Sequence, residues 1–502
     1  MFKIVKADKD TYITNKVIRG DRKLNSNVGS AGTLDLFKLY GASMSGSTPN
    51  LELSRLLIHF DLSSLKSLYS TGRLDISHPS FFCKLEMKDV YGGQTTPANF
   101  TVSVFPLSSS FDEGIGKDVT YYSDKDVSNW NSSSFENPWL EAGCSRACGP
   151  SGTGDFITSS LGITSTESSQ TFLKGDEDLF IDVTRIISAT LVGNIPDSGL
   201  RISFQKSLED NNKTYFVKRF ASNNAYDESK RPRLTIGFDD SLTDDSQNLI
   251  FDKSCNLTLY NYAPGGEIVD IVSSSFSITG SNSLILKMTT QTPSGSYTLL
   301  FSGSQLSYSP GSFLSGTYGS TVFIPSSDPI LAAKIQTSGS LVFTPVWCSI
   351  DKSVAYVTGS NLTVSLSQKT SSKSMKKFIV TTVDMKEEYQ NDEMPTIRIN
   401  IFDQTSPLLK TVRVPLEAQG IVLKRVYYQV RDVVTNDTII PFDDVTNSTK
   451  VSSDSSGMFF NLDMSNLEAG KTYCIDVLIS YNGVKEKFMS VSPYFRIEKS
   501  NS

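Results

Sequence analysis

The sequence predicts an all-β protein made of three consecutive β-sandwich domains. Short apolar segments alternate with turns rich in Ser, Thr, Gly and Asn, and amphipathic stretches with a helical period are almost absent. The 502 residues exceed what a single hydrophobic core supports, because a domain averages about 150 residues. Shifts in composition place the three predicted domains at residues 1–240, 241–377 and 378–502.

The first domain is predicted to be a sandwich with a loop-rich insertion at residues 108–158. Its strands are expected at the apolar segments LDLFKLY, LSRLLIHFDL, FFCKLEMKDVY, FTVSVFPL, LRISFQKS, YFVKRFAS and RPRLTIGF.

The segment LSRLLIHFDLSSL, residues 53–65, shows how the faces of such a strand are assigned. With a period of two, one face is expected to lie in the core; its members are Ser54, Leu56, Ile58, Phe60 and Leu62. The other face mixes apolar and cationic groups and is expected to be partly wet; its members are Leu53, Arg55, Leu57 and His59. The segment is therefore predicted as a strand followed by a turn, with a partly exposed histidine.

One segment of the first domain has a helical pattern. In DVTRIISATLVGN, Ile187 and Leu191 lie four residues apart, Thr184 is suited to cap the start, and Gly193 is suited to close the end. A short helix at one end of the sandwich is therefore predicted.

The second and third domains are also predicted as sandwiches. Residues 241–377 carry short apolar segments in a background of Ser, Gly and Thr and end in a predicted linker at 371–377. In residues 378–502 the segments alternate cleanly, and Asn-Gly at 482–483 is the preferred two-residue hairpin turn. The residues expected to share one face of the strand before that turn are Tyr473, Ile475, Val477 and Ile479.

The phrase LEAGKTY, which ends at Tyr473, resembles the turn before a penultimate strand in fibronectin type III and other immunoglobulin-like domains. In those domains the tyrosine hydroxyl bonds back to the turn. The resemblance implies an immunoglobulin-like third domain in which Tyr473 has this structural role.

Phrases of the first domain resemble, in order, the sandwich modules called DNRLRE domains. RLLIHFDLSSL at 55–65 is similar to the family's R-x-L-I-x-F-D-L-S-x-L. FDEGIGKDV, VSNW and NPWLEAGC, between residues 111 and 144, resemble its W-x-E-G-x-G-x-D … W … W-x-x-G segment, with Phe111 where tryptophan is usual. DVT at 182–184 and FASNNAYDESKRPRLTIGF at 220–238 resemble its helix start and its closing strand.

This resemblance implies a jelly-roll-like first domain in which Arg55, Asp61, Asp182 and Pro232 belong to the framework. Asp61 is expected to cap the following turn through its side chain. DNRLRE domains are related to a family of carbohydrate-binding modules and are found in bacterial surface proteins, polysaccharide-degrading enzymes and phage particles. The matching phrases do not identify sugar-contacting residues.

The sequence predicts no catalytic site and no bound cofactor. Its two histidines, His59 and His78, are expected in a strand and in a turn, and no G-x-S-x-G, H-E-x-x-H or P-loop motif occurs. Two pairs of adjacent carboxylates have the residue types used in glycoside cleavage, although such pairs are commoner in turns at sandwich edges. These pairs are Asp112 with Glu113, and Asp239 with Asp240.

Two segments have the residue types of a metal site. Cys144 and Cys148 lie in a glycine-rich loop, but their C-x-x-x-C spacing has no second pair nearby, so buried thiols are favoured over a metal ion or a disulfide. GDEDLFID at 175–182 offers the hard oxygen ligands of a structural Ca²⁺.

The charge pattern argues against nucleic acid as a direct ligand. The net charge is −6, and both signs are spread along the chain without a basic stripe. No apolar run approaches the roughly 18 residues of a membrane span, and MFKIVKADKD at the start lacks the apolar core of a secretory signal. Synthesis in a cytoplasm and no membrane partner are therefore expected.

Together these observations favour a structural protein of a tailed-phage virion, made in the host cytoplasm. AGTLDLFKLYG at 31–41, just ahead of a DNRLRE-like strand, resembles virion proteins of large phages, which sit on the neck, tail, baseplate or capsid exterior. The expected partners are other virion proteins and copies of the same chain, with a host-surface glycan as a further partner. The alternative is a glycan-binding adhesin or an accessory module of a polysaccharide-degrading system, proteins that normally carry an export signal.

Overall fold

A computed structural model of the chain describes residues 1–41, 50–90, 98–149, 152–264, 268–273, 275–293, 295–309, 311–367, 376–404 and 420–500. Strands account for 47% and helices for 8%, and the strands form several sheets. The predicted all-β sandwich class is confirmed.

The chain divides into two compact units. The amino-terminal unit comprises Lys3–Ser67 and Phe81–Gly237, and the carboxy-terminal unit comprises Met1–Phe2, Leu68–Ser80 and Phe238–Ser502. The last segment of the carboxy-terminal unit begins at Phe238, close to residue 240, where the first predicted domain ends. The predicted domains 241–377 and 378–502 both fall within the carboxy-terminal unit, and the division into three domains stays a prediction.

The elements from Phe2 to Gly237 are dominated by one ten-stranded sheet. Its order is β12-β7-β14-β5-β1-β16-β6-β13, with β4 paired to β5 and β15 paired to β4. The strands are β1 (Phe2–Thr14), β2 (Val17–Ile18), β3 (Asp21–Arg22), β4 (Thr33–Gly41), β5 (Asn50–Phe60), β6 (Phe82–Met87), β7 (Phe100–Pro106), β8 (Ser132–Ser134), β9 (Asn137–Pro138), β10 (Ala147–Cys148), β11 (Phe156–Ile157), β12 (Ser168–Phe172), β13 (Leu179–Asp182), β14 (Leu200–Phe204), β15 (Tyr215–Ala221) and β16 (Arg233–Gly237).

Strand β1 connects the two parts of this sheet. It pairs with β16 on one side and, antiparallel, with β5 on the other, with a bulge between Ala7 and Lys9. The core includes stacked rings, with the centroids of Phe100 and Phe172 4.8 Å apart and Phe204 meeting Phe100 edge-on at 5.5 Å. Alternating apolar residues on neighbouring strands bring these rings to one face.

The second face of residues 53–65 differs from the prediction. Leu53 and Leu57 are buried together with Trp130, Trp139 and other residues of the loop-rich insertion, instead of facing water. The insertion covers this face of β5, and strand alternation cannot reveal such long-range cover. His59 is partly exposed, as predicted.

The helices here are α1 (Ser63–Ser70), α2 (Thr184–Val192) and α3 (Lys206–Glu209), with a 3₁₀ turn at Glu228–Lys230. The Leu-Ser-Ser-Leu phrase, predicted as a turn, is instead the start of α1, which buries Leu65. Helix α2 ends as predicted at Gly193, whose φ of 88° is left-handed. The prediction for its start is wrong, because Thr184 is already helical and its hydroxyl accepts the N–H of Cys83 at 2.8 Å.

The elements after Gly237 form a seven-stranded sheet in the order β17-β22-β21-β20-β23-β24 with β25 on β23, a four-stranded sheet β26-β28-β32-β31, and a six-stranded sheet β27-β35-β33-β29-β30 with β34 on β33. The strands are β17 (Ser254–Tyr260), β18 (Val272–Ser273), β19 (Phe276–Ser277), β20 (Leu284–Thr292), β21 (Gly295–Ser309), β22 (Ser312–Phe323), β23 (Ser340–Cys348), β24 (Ala355–Thr358), β25 (Leu362–Ser365), β26 (Phe378–Val383), β27 (Glu388–Gln390), β28 (Thr396–Asp403), β29 (Val426–Asp432), β30 (Thr438–Ile440), β31 (Ser452–Asp454), β32 (Gly457–Asn461), β33 (Thr472–Tyr481), β34 (Val484–Phe488) and β35 (Phe495–Glu498). Helix α4 covers Ala332–Ser338, and 3₁₀ turns cover Ser246–Asn248 and Met464–Asn466.

The hairpin of β33 and β34 matches its sequence pattern. Asn482 and Gly483 join the strands with φ angles of 49° and 81°, the left-handed geometry that suits a primed hairpin turn. Ile475 and Val477, which were predicted to share one face of β33, are both buried. Most of the predicted linker 371–377 lies outside the described residues.

Candidate functional site

Arg55 lies in a buried ionic cluster in the amino-terminal unit. Its guanidinium binds the carboxylate of Glu209 through two hydrogen bonds of 3.0 and 2.7 Å, and it donates to the carbonyl oxygen of Gly143 at 2.6 Å. Arg201 approaches the same carboxylate at 4.0 Å, and Arg55 lies over the ring of Trp130 at 5.4 Å. Arg55 therefore joins β5 to the insertion from inside the unit.

The other residues that the resemblance assigns to the framework have local contacts. Asp61 accepts the N–H of Ser63 at 2.9 Å at the start of α1, and Asp182 accepts the N–H of Thr184 at 2.8 Å at the start of α2. The buried Pro232 accepts the N–H of Ala7 through its carbonyl oxygen at 3.0 Å. Asp182 thus accepts the first N–H of α2, whereas Thr184, which the sequence predicted as the cap, is itself the first helical residue.

In the carboxy-terminal unit, Tyr473 is fully buried at the start of β33. Its hydroxyl accepts the N–H of Glu468 at 2.9 Å, five residues before it, so the ring and the preceding turn are bonded as in immunoglobulin-like domains.

The two histidines have neighbours of different kinds. Nδ1 of His59 lies 2.7 Å from a carboxylate oxygen of Asp8, and Nε2 lies 3.7 Å from Asp197. The hydrogen bond with Asp8 is the main cause that raises the pKa of His59, so the ring favours its cationic form. His78 bonds through Nδ1 to the hydroxyl of Ser80 at 2.7 Å, within a turn.

The structure separates both carboxylate pairs. Asp112 is exposed, whereas Oε1 of Glu113 accepts the backbone N–H of Asp10 at 2.9 Å. Asp239 accepts the N–H of Ser241 at 2.9 Å, and the neighbouring Asp240 binds the amino terminus. Glu113 and both carboxylates of the second pair are thus engaged by donors within the protein.

Cys144 and Cys148 are free thiols and are not joined to each other. Burial raises the pKa of Cys144 to about 12, and Cys148 donates to the carbonyl oxygen of Phe156 at 3.3 Å. Because a metal binds the thiolate, such burial disfavours these two side chains as ligands.

The acidic segment 175–182 binds protein donors. The carboxylate of Glu177 accepts backbone N–H groups from residues 173, 174 and 175 at 2.9, 2.8 and 2.6 Å. Burial alone would raise the pKa of Glu177, but these bonds lower it to about 2. Asp178 binds Lys88 at 2.8 Å. Within the described ranges, no group of three or more His, Cys, Asp or Glu side chains is placed to hold a metal ion.

Aromatic and charged side chains lie together on an exposed part of the large sheet, here called the outer face. It is formed by the outward side chains of β13, β6 and β16, which are Phe180, Asp182, Phe82, Lys84, Glu86, Arg233 and Thr235. The inward residues of the same strands, such as Cys83 and Leu85, are fully buried. Inward and outward side chains alternate on these three paired strands, so the outward side chains of the outer face lie directly over a packed core.

The outer face consists of two registered rows. Phe180, Glu86 and Arg233 form one row, and the neighbouring row contains Lys84 flanked by Asp182 and Thr235. Glu86 binds Arg233 at 2.9 Å and accepts the hydroxyl of Thr235 at 2.6 Å.

A cation lies between two aromatic rings of the outer face. The ammonium of Lys84 is 4.8 Å from the ring centroid of Phe180 and 5.5 Å from that of Phe82. Phe180 is nevertheless 53% exposed. The outer face carries two cations, Lys84 and Arg233, and two carboxylates, Glu86 and Asp182. Its net charge is therefore zero, and the exposed ring of Phe180 lies among these paired charges.

Sequence reasoning did not identify the outer face. The alternation FCKLEM was visible and predicted a strand, but it did not show which face is covered or that β13 and β16 flank β6. Those pairings join residues distant in sequence, such as Glu86 and Arg233, which are 147 residues apart.

No protein-family model matches the chain, and no curated protein matches it significantly. Among the helices of the described residues, none has the length and apolar character needed to cross a membrane.

Proposed function

We propose that this protein is a structural component of a tailed-phage virion, located on the neck, tail, baseplate or capsid exterior. It acts by docking to other virion proteins and to copies of itself, without catalysis, after synthesis in the host cytoplasm. The DNRLRE-like phrases and the segment 31–41 support the phage origin by resemblance.

The outer face is the observation that supports docking. Aromatic side chains and arginine are the usual anchors of protein interfaces, and Phe180, Phe82 and Arg233 supply both types on one rigid sheet. Because Glu86 already pairs with Arg233, a partner can cover this part of the face without burying an unpaired charge.

The test is to purify particles, list their proteins by mass spectrometry and average images of intact particles. We expect the chain in multiple equivalent copies. Phe180→Asp should reduce incorporation into particles at least about tenfold, because a buried carboxylate would face the partner. Phe216→Asp is the matched control, since Phe216 is a similarly exposed phenylalanine on β15 of the same unit.

A second candidate function, glycan binding as an adhesin or accessory module, is favoured by one feature of the outer face. The exposed ring of Phe180 has Lys84 and Asp182 beside it, so it combines a flat apolar surface with hydrogen-bonding groups. A sugar ring can stack on the ring of Phe180 and form hydrogen bonds with Lys84 and Asp182.

A glycan-array experiment separates the two functions. Free protein that binds a glycan, loses binding in Phe180→Ala, and is absent from particles would contradict the virion proposal and support the alternative. Particle incorporation that fails in Phe180→Asp, together with no glycan binding, would support the virion proposal.

A further inference from the structure

A lysine occupies an inward position on β15 in the amino-terminal unit. Lys218 is 0% exposed and lies two residues before the equally buried Phe220, so both side chains are on the core side of the strand. A lysine is rarely placed in a core, because its charge loses the hydration that water supplies. Lys218 therefore requires a specific partner.

The partner is the carboxyl group of Asp89, which follows β6. Nζ of Lys218 lies 2.5 Å from Oδ1 of Asp89, although 129 positions separate the two residues. Backbone pairing fixes this approach, since an antiparallel bridge joins Asp89 to Phe220 and the N–H of Val90 donates to the carbonyl oxygen of Arg219 at 2.9 Å. The side chain of Asp89 is only 10% exposed. An amine and a carboxyl group are thus held in contact, away from bulk water.

The groups around the amine fix its orientation. The ring centroids of Phe172 and Phe220 each lie 5.1 Å from Nζ. Nζ also donates to the carbonyl oxygens of Gly175 and Glu177 at 3.0 and 2.7 Å. Because carbonyl oxygens only accept hydrogen bonds, they direct two N–H bonds of the amine and leave its third position toward Asp89. In a neutral amine this third position holds the lone pair.

Two charge states fit these contacts. One is an ion pair of ammonium and carboxylate, and the other is a neutral amine beside a neutral carboxylic acid. Burial is the main cause that raises the pKa of Asp89 even with Lys218 beside it, and the carboxylates of Asp178 and Asp176 add to the effect. The neutral state avoids holding two charges in the core. A desolvated neutral lysine is also a nucleophile.

We propose that Lys218 and Asp89 form an intramolecular amide bond. Nζ attacks Cγ of the protonated carboxyl group, the Nζ–Cγ bond forms, and the Cγ–OH bond breaks. The hydroxyl leaves with one proton of the amine as water, so no oxidant, reductant or further reactant is needed. The fixed contact supplies proximity, and the two rings exclude the water that would reverse the reaction. The bond would join β15 to the end of β6, and it does not depend on the proposed virion role.

A second buried lysine shows what the contact with Asp89 adds. Lys38 is also 0% exposed, and its Nζ donates to the carbonyl oxygens of Leu208 and Asn211 and to Oδ1 of Asn211. These acceptors are peptide and side-chain amides, whereas Lys218 contacts a carboxyl group. An amide formed between Lys38 and Asn211 would release ammonia, which distinguishes it from one formed between Lys218 and Asp89.

Intact mass spectrometry of the denatured full chain tests the bond. The wild-type chain should be lighter than its calculated mass by one water molecule, and a tryptic digest should contain a branched peptide that joins the segments of Asp89 and Lys218. Lys218→Arg should have the calculated mass, because a guanidinium stays protonated and is no nucleophile. Asp89→Ala should also have the calculated mass. Lys88→Arg is the matched control, since Lys88 is the neighbour of Asp89 and pairs with Asp178, and it should keep the loss of water.

A wild-type chain with the calculated mass, both when purified and after long incubation in the folded state, would overturn the proposal and leave an ordinary ion pair. A loss of water that persists in Lys218→Arg, or that disappears in Lys88→Arg, would also overturn it. A loss of ammonia in place of water would overturn the assignment to these two residues. If Lys218→Arg does not fold, the tryptic digest of the wild-type chain decides: a branched peptide supports the bond, and two linear peptides refute it.

Discussion

Replacing Glu209 with glutamine tests the buried ionic cluster directly. The substitution keeps the shape of the side chain but raises the local charge of the three groups from one net positive to two, because Arg55 and Arg201 both remain. The side chains of Arg55 and Glu209 are each only 7% exposed, so water screens little of the change. Breaking such a buried pair costs about 3–5 kcal/mol, which is the loss of unfolding free energy that we expect for Glu209→Gln.

Guanidinium denaturation of the full chain, followed by tryptophan fluorescence, measures this loss. Trp130 lies 5.4 Å from the guanidinium of Arg55 and reports on the cluster itself. The matched control is Glu228→Gln, which removes an exposed carboxylate 3.1 Å from Lys6 and should change stability by less than about 1 kcal/mol.

A double-variant cycle sharpens the test. Arg55→Met combined with Glu209→Gln returns the local charge to one net positive, so the double variant should lose less stability than the sum of the two single variants. A loss below about 1 kcal/mol in Glu209→Gln, or strict additivity in the cycle, would refute the view that the pair is electrostatically coupled.

Three further predictions concern local contacts. Gly29→Ala places a Cβ 2.1 Å from a backbone carbonyl oxygen and should cost about 2–3 kcal/mol in denaturation, whereas Gly32→Ala meets no atom within 4 Å and should be nearly neutral; equal losses would contradict the predicted clash. Tyr473→Phe removes a 2.9 Å hydrogen bond and should lower the unfolding free energy of the carboxy-terminal unit by about 1 kcal/mol. An unchanged denaturation curve would contradict this prediction. The pKa of His59 is raised by its bond to Asp8, so this bond adds stability below the unfolded-state pKa of 6.5, and the contribution disappears as pH rises through the folded-state value. Asp8→Asn should therefore lower the Tm at pH 5 but not at pH 9, and an equal loss at both would contradict the charge-based account.

The features that the sequence predicted well depend on neighbouring residues. The hairpin at Asn482 and Gly483 follows from two adjacent residues that tolerate positive φ. The end of α2 at Gly193 follows from a single glycine. Such signals need no knowledge of the rest of the fold.

The features that the sequence did not predict depend on distant segments. Leu53 and Leu57 are buried because an insertion that begins some fifty residues later covers them. The hydrogen bond from Asp10 to Glu113 spans 103 positions, whereas adjacency in the chain suggested pairing Glu113 with Asp112. A spacing pattern in one segment cannot report which other segment lies against it.

The division of the chain into its two units has a consequence for limited proteolysis. Because residues 1–2 and 68–80 belong to the carboxy-terminal unit, the backbone crosses between the units four times, after residues 2, 67, 80 and 237. A single protease cut after residue 237 therefore gives a fragment 1–237 that still carries residues 1–2 and 68–80, two pieces of the other unit. No single cut at a crossing divides the chain into fragments that correspond to the two units.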